Sequence, residues 1–465
     1  MMLQLLQEIS ARASGWVELR YHVRRSKRIS VRNGKLEESS TLRLSGVGVR
    51  ALIDGVFGFA STTDLSEDGI ARAMSEAQSA ARVSAVAKRA KIAPLPHVML
   101  ASGNFTVKTD DPLDDHPLTE KLALVMRMDE RVRSAAKKIV SSSVAYSELQ
   151  DEKVIVTSDG AGAHIIDSKP DFRVLAVAQQ NGDQAMGMDS SGVTGGYADL
   201  FAKRTPEEMA DKAVRLAVDQ LGADYAAGDV ATVVLDPGLV GVLSHEAIGH
   251  TVEADLVRGG AITSGKIGTQ VGSDLVTLCD SGPSTHMPHA AGELLVDDEG
   301  VRTGRTVIID HGVLRSYLHN RESAAYFGVE STGNARAFEY SDEPIIRMRN
   351  TYIEPGISSV EEIIASVKRG YYLQGLGGGG QADSNAEFMF GVREAYEIVD
   401  GKIGKMVRGV TISGNAFEVL KSVDAVGNDF TWGLGAGHCG KGQLAKVDAG
   451  GPHLRCIVTI GGRQK

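Results

Sequence analysis

Two imidazoles and one carboxylate fall within six residues at His245-Glu246-Ala247-Ile248-Gly249-His250, directly after the apolar run TVVLDPGLVGVLS. Nitrogen donors beside a carboxylate that need not itself bind are what a catalytic zinc ion requires, with the carboxylate free to accept a proton from the attacking water. The spacing is unusual. A His-Glu-x-x-His pair sits about 40° apart around an α-helix, whereas one more residue opens the angle to roughly 140°. A regular helix would aim His245 and His250 apart, so the sequence predicts an irregularity between Glu246 and Thr251: a π-type turn, a widening at Gly249, or an end of the helix. Without it the segment is an ordinary helix carrying two unrelated histidines.

A catalytic zinc has three protein ligands and an open fourth position. Candidates for the third are Glu253 and Asp255 on the same segment, His286 and His289 in THMPHAAGE, and His438 and Cys439 in GLGAGHCGKGQ. Cys439 is favoured, because thiolate binds zinc strongly and the flanking Gly437 and Gly440 let its backbone approach closely. The plain alternative, a buried apolar thiol, suits Cys279 and Cys456 better, since both lie in strand-like apolar runs. His286 and His289 read as polar loop residues. His438 adjoins the ligand, and adjacent side chains seldom reach one ion. Glu253 and Asp255 either orient a ligand imidazole or are solvated at a helix end.

The elements that must position these residues divide unevenly. Alternating runs from Trp16 to about Thr62, with hairpin turns at Asn33-Gly34 and Asp54-Gly55, predict an antiparallel meander. Helices are expected over 66–91, 118–136 and 206–221, with three strand-like runs between the second and third. The order lacks βαβ alternation, so an α+β fold is expected, with an N-terminal α+β domain over 1–228. Residues 229–465 should form a mostly β domain carrying the HEAIGH helix, with VEEIIASVKRG as a further helix and turns at Glu299-Gly300, His311-Gly312 and Asp400-Gly401.

Bulk properties narrow the partners. With 465 residues, 42% apolar and 23% charged, the chain has the composition of a folded protein of two or three domains. Its net charge of −9 and lack of an extended basic face argue against nucleic acid. The densest basic run, Arg24, Arg25, Lys27 and Arg28, reads as a solvated strand face. Neither a signal peptide nor a membrane span is recognisable, and three cysteines are too few for a disulfide framework, so a cytoplasmic protein with reduced thiols is expected.

Several longer segments carry a resemblance: LEESSTLRLSGVGVRALIDGVFGFAST, DDEGVRTGRTVIIDHGVL, STGNARA, RMRNTYIEPG, GGGGQADSNAEFMFGVREAYEIVDGKIGKMVRGVTISGN and CGKGQ. In this order, and with HEAIGH, they resemble the TldD/PmbA family, and within it the TldD-like branch. The Cys439-Gly440-Lys441-Gly442-Gln443 loop is one residue shorter than that branch's usual pattern. The resemblance implies a zinc-dependent peptidase acting on small or unfolded peptides, with His245, His250 and Cys439 as ligands and Glu246 as base. It also implies a dimer, formed with a second copy or with a PmbA-like paralogue that lacks the metal motif. Substrate is expected to lie extended against a β-rich surface, and the glycine run 377–380 is either a place for strand addition or a flexible loop. The contrasting expectation is a non-catalytic binding or scaffold subunit whose metal is structural or absent.

Overall fold

A computed structural model describes residues 1–462 apart from 89, 90 and 93, and the side chains in that range except those at 379 and 381. The alternating N-terminal runs form one seven-stranded sheet in the order Val56–Thr62, Lys35–Ile53, Trp16–Arg32, Ile139–Thr157, Gly162–Gln180, Ser102–Thr106, with Asp183–Gly192 also paired to Gly162–Gln180. Asn33-Gly34 and Asp54-Gly55 take φ of 50°, 76°, 48° and 74°, the left-handed pair that a two-residue hairpin turn needs. Helices cover one face. Glu67–Ala87 begins at Ser66, whose hydroxyl accepts from the Gly69 amide, and buries Ile70, Ala73, Met74, Ala77 and Ala81 at helical spacing. Pro206–Leu221 starts with a reciprocal Thr205–Glu208 capping box and packs beside Leu118–Ala135.

The chain is α+β, and its second half is β-rich. There an eight-stranded sheet runs in the order Arg369–Ala382, Asp229–Leu235, Leu454–Gly461, Thr411–Asn415, Glu387–Val399, Lys402–Arg408, Asp224–Tyr225, with Ala425–Val426 also paired to Leu454–Gly461, and pairing of the first of these strands with Glu387–Val399 closes the sheet on itself. A six-stranded sheet stands beside it, containing Leu278–Ser281, Arg305–Asp310, Asn350–Ile353 and Asp448–Gly451. The shared core includes Leu235, Leu239, Leu243, Ile248, Val252, Ile353 and Leu373, so the HEAIGH segment is held on its apolar side by both sheets. Buried ion pairs tie the first sheet to the second half: Arg50 to Glu299, Lys153 to Asp298 at 2.7 Å, and Lys446 to Asp171 at 3.1 Å.

Several expectations need correction. The helix expected over 66–91 ends at Ala87, with Lys88 extended; residues 89 and 90 lie outside the described set. VEEIIASVKRG is helical only over Val360–Ala365, because the strand beginning at Arg369 claims the rest. The helices Arg321–Phe327 and Ala416–Lys421 escaped notice, each being too short to show a period, although Asn320 and Asn415 cap them. The turn expected at Glu299-Gly300 is present: Gly300 has positive φ, and the Asp297 carboxylate holds the bend by accepting from the amides of Glu299 and Val301. Arg24 is no solvated side chain. It is buried against Asp151 with contacts of 2.8 and 2.6 Å, while Arg25 and Arg28 are exposed.

Candidate metal centre

Pro237–Val242 is α-helical, opened by Asp236, whose carboxylate accepts from the Leu239 amide. The next seven residues, Leu243–Gly249, widen into a π-helix, and His250–Val252 tighten into a 3₁₀ turn. The expected irregularity is therefore present, and its cause is not freedom at Gly249. That residue has ordinary helical angles, φ −55° and ψ −45°, and is glycine because a Cβ would lie 2.0 Å from the Met348 sulfur. Widening turns the two imidazoles toward each other, with ring centroids 5.4 Å apart at 81°.

Cys439 arrives on a hairpin in which His438–Gly440 pairs antiparallel with Leu444–Lys446. Gly442, with φ 72°, makes the turn, whereas Gly437 and Gly440 keep negative φ. Alternation along the strand buries Cys439 and leaves His438 exposed, with its ring against Phe338. The Cys439 Sγ lies 3.2 Å from His250 Nε2. One donor atom from each of His245, His250 and Cys439 can be chosen so that all lie within 4.8 Å of one another.

Charges around the cluster fit an ion. Both ring nitrogens of His245 are buried without a hydrogen-bond partner among the described residues, the state of a donor aimed at something absent from the protein itself. The N, N, S donor set matches zinc chemistry. Burial pushes the Cys439 thiol up, but the imidazoles of His245 and His250 outweigh it and hold the thiol at about 5. Burial likewise opposes protonation of His250, yet Cys439 and Glu253 raise it to about 10, so metal loading requires His250 to release a proton.

Glu253, fully buried, takes the other nitrogen: its Oε2 is 2.8 Å from His250 Nδ1, which leaves Nε2 facing Cys439. Lys441, which sequence reasoning passed over, clamps the hairpin to this segment, with Nζ 3.2 Å from Glu253 and 2.9 Å from Asp255. It lies in the turn two residues beyond Cys439. Asp255 therefore holds the hairpin and contacts neither imidazole. Glu246 is partly exposed, with Oε2 3.6 Å from His250 Nε2, and it lines an open cavity of about 270 Å³ with Lys441 and residues 382–384. His286 instead meets Glu354 at 2.6 Å, and His289 bonds the Thr194 carbonyl at 3.1 Å. Cys279 and Cys456 are buried thiols in strands, and burial pushes both up, Cys279 to about 12.

An α+β protein with this donor cluster at its core-held turn finds its class in sequence comparison. Models of the PmbA/TldA metallopeptidase domain 1, central domain and C-terminal domain match residues 17–81, 111–221 and 228–462. A metalloprotease of Methanothermobacter thermautotrophicus is 34% identical over 97% of this chain and 96% of its own. The zinc metalloprotease TldD homolog of Saccharolobus solfataricus is 30% identical over 90% of each chain. The protein belongs to the PmbA/TldD family of metallopeptidases. Its fold matches that of TldE from Thermococcus kodakarensis, with a TM-score of 0.78 at 19% identity, covering 99% of this chain and 100% of the other.

Proposed function

We propose that this protein is a zinc-dependent peptidase of broad specificity, the active, TldD-like kind of subunit, with His245, His250 and Cys439 as ligands and Glu246 as the catalytic base. The observation that carries this reading is the convergence of three donors within 4.8 Å beside a carboxylate that opens on a cavity. The zinc named for the Saccharolobus relative supports the choice of metal.

When bound, zinc would acidify a water and polarise the peptide carbonyl. Glu246 accepts the proton of the attacking water and returns it to the leaving amine, a role its partly exposed position on the cavity allows. Glu253 fixes the His250 ring so that Nε2 is the donor.

Peptide would bind extended along strand Arg369–Ala382. Beyond Leu373 this strand keeps its pairing with Glu387–Val399, but among the described residues it has no strand on its other edge, and its end lines the cavity beside Glu246. The glycine run 377–380 lies in this strand rather than in a loop. Main-chain pairing reads little side-chain identity, in keeping with small or unfolded peptides as substrates. The reading includes a dimer, with a second copy or with a PmbA-like paralogue, and a cytoplasmic location.

Zinc content and hydrolysis of a mixed peptide pool, measured together, test the assignment. Glu246→Gln should keep the wild-type zinc content and lose roughly 10²-fold or more in turnover, while Cys439→Ala should lose both. Turnover retained in Glu246→Gln removes the base. Full activity in the chelated protein removes the metal.

A further inference from the structure

A cavity of about 450 Å³ lies apart from the metal donors, between the end of strand Asp183–Gly192 with the turn that follows it and two segments of the second half, Asp236 to Gly238 and Thr431 to Gly435. Four cations line it: Lys203, Arg204, Lys212 and Arg393. Four carboxylates, Asp189, Asp199, Asp236 and Asp448, line it as well, but most of their oxygens are bonded elsewhere. Buried Asp189 serves three of the cations, with Arg204 at 2.8 Å, Lys212 at 3.9 Å and Arg393 at 4.0 Å. Asp236 is taken by the amides of Leu239 and Gly375, and Asp448 by those of Ala291, Leu434 and Ala449. Asp199 is bonded by Thr109 and the Gly196 amide, with His289 at 3.6 Å.

The side chains of Lys203, Lys212 and Arg393 make no hydrogen bond within the described residues, and Arg393 Nε is shielded from solvent without an acceptor. Burial, reinforced by Arg393 and Arg204 against Asp189, draws Lys212 below the ordinary lysine range. Two guanidiniums and an ammonium, from Arg204, Arg393 and Lys212, crowd around buried Asp189 and repel one another, while Lys203 faces Asp448 and Arg393 also faces Asp236; a ligand of opposite sign would relieve the repulsion. Trp432 and Met287 supply an apolar wall, which strengthens charge interactions at the cavity.

We infer that this cavity binds a small molecule with a compact dianionic group, a phosphate or a dicarboxylate, held by Arg393, Lys212 and Lys203, with its apolar part against Trp432. Arginine's planar fork matches two acidic oxygens at once, and the lysines add point charges around it. The competing account is a wet cleft in which the cations are simply hydrated.

Titration calorimetry of the intact protein with inorganic phosphate and, separately, succinate decides between the two accounts and between the two chemistries. Saturable binding of at least one anion is expected, weakened about tenfold or more in both Arg393→Gln and Lys212→Gln and unchanged in the surface control Lys137→Gln. Neither variant touches the metal donors, so anion binding to zinc would survive them, and no peptide turnover enters the measurement. Lys212 is on a partly exposed helix face, so its variant guards against misfolding of Arg393→Gln. Absence of saturable binding by either anion, or binding that persists in both variants, overturns the inference.

Discussion

At the scale of single residues, the site depends on which nitrogen of His250 is free. Glu253 settles this by bonding Nδ1 at 2.8 Å from a fully buried position. Burial pushes the Glu253 carboxyl up, but His250 and Lys441 hold it below the usual glutamate range, so it stays an anion facing the imidazole. A carboxylate–histidine pair of this kind makes the ring a better and better-aimed donor. Glu253→Gln should therefore weaken zinc binding roughly 10- to 100-fold without changing the donor set. A competition titration against a chelator of known affinity measures this, and a shift below about twofold would show that Glu253 only fills space. Glu246 differs: it meets His250 Nε2 only at 3.6 Å and its partly exposed carboxylate opens on the cavity, so on the proposed reading its loss should spare zinc binding and act on turnover alone.

At the scale of elements, the π-helix over Leu243–Gly249 is where local geometry and global packing meet. Histidine spacing alone implied a break in the helix, because five residues on a regular α-helix cannot aim two rings at one ion. What made room for the break was not legible. Gly249 reads in sequence as a flexible point, yet it is needed because Met348, nearly a hundred residues on, fills the space a side chain would take. Cys439 tells the same story: its residue type marked it as a candidate ligand, while its approach to the imidazoles is set by strand pairing with Leu444–Lys446, a contact local enough that the turn glycine, Gly442, could have been read from the sequence. The short helices after Asn320 and Asn415 were hidden because six or seven residues show no period, and the capping side chains alone are weak signals. Gly249→Ala separates propensity from packing. An alanine in a helical conformation gains up to about 1 kcal/mol over glycine, whereas forcing a methyl against buried Met348 costs about 1–3 kcal/mol. Net destabilisation is expected, seen as a lower midpoint in urea with an unchanged slope; a midpoint equal to or above wild type would mean that Met348 moves aside freely.

At the scale of the whole molecule, the joint between the first sheet and the second half is built from charge. The loop Asp297-Asp298-Glu299 inserts two buried carboxylates, Asp298 and Glu299, among Arg20, Arg50 and Lys153 of that sheet, while buried Asp297 accepts from the loop's own amides and that of Ala335. Arg50 is shared: Glu299 holds it on one side, and Glu18 meets it at 3.0 Å on the other. Two acids on one cation cannot both ionise cheaply, and the strain falls on Glu18, which burial drives up to about 7, with Arg50 pulling down and Glu299 pushing further up. A carboxyl whose folded value exceeds its unfolded one binds more protons in the folded state between the two, so its contribution to stability is complete below the ordinary glutamate range and is lost as pH rises through 7. Glutamine at this position mimics the protonated acid at every pH. Wild type and Glu18→Gln should therefore be about equally stable near pH 4.5, and the variant should become the more stable of the two as pH rises to 8, by at most about 3 kcal/mol. Chemical denaturation of both proteins at matched ionic strength across that range measures the difference, in which titrations common to both cancel. A difference that stays flat with pH would show that Glu18 is already ionised at low pH and that Arg50 balances both carboxylates, leaving the joint insensitive to protons.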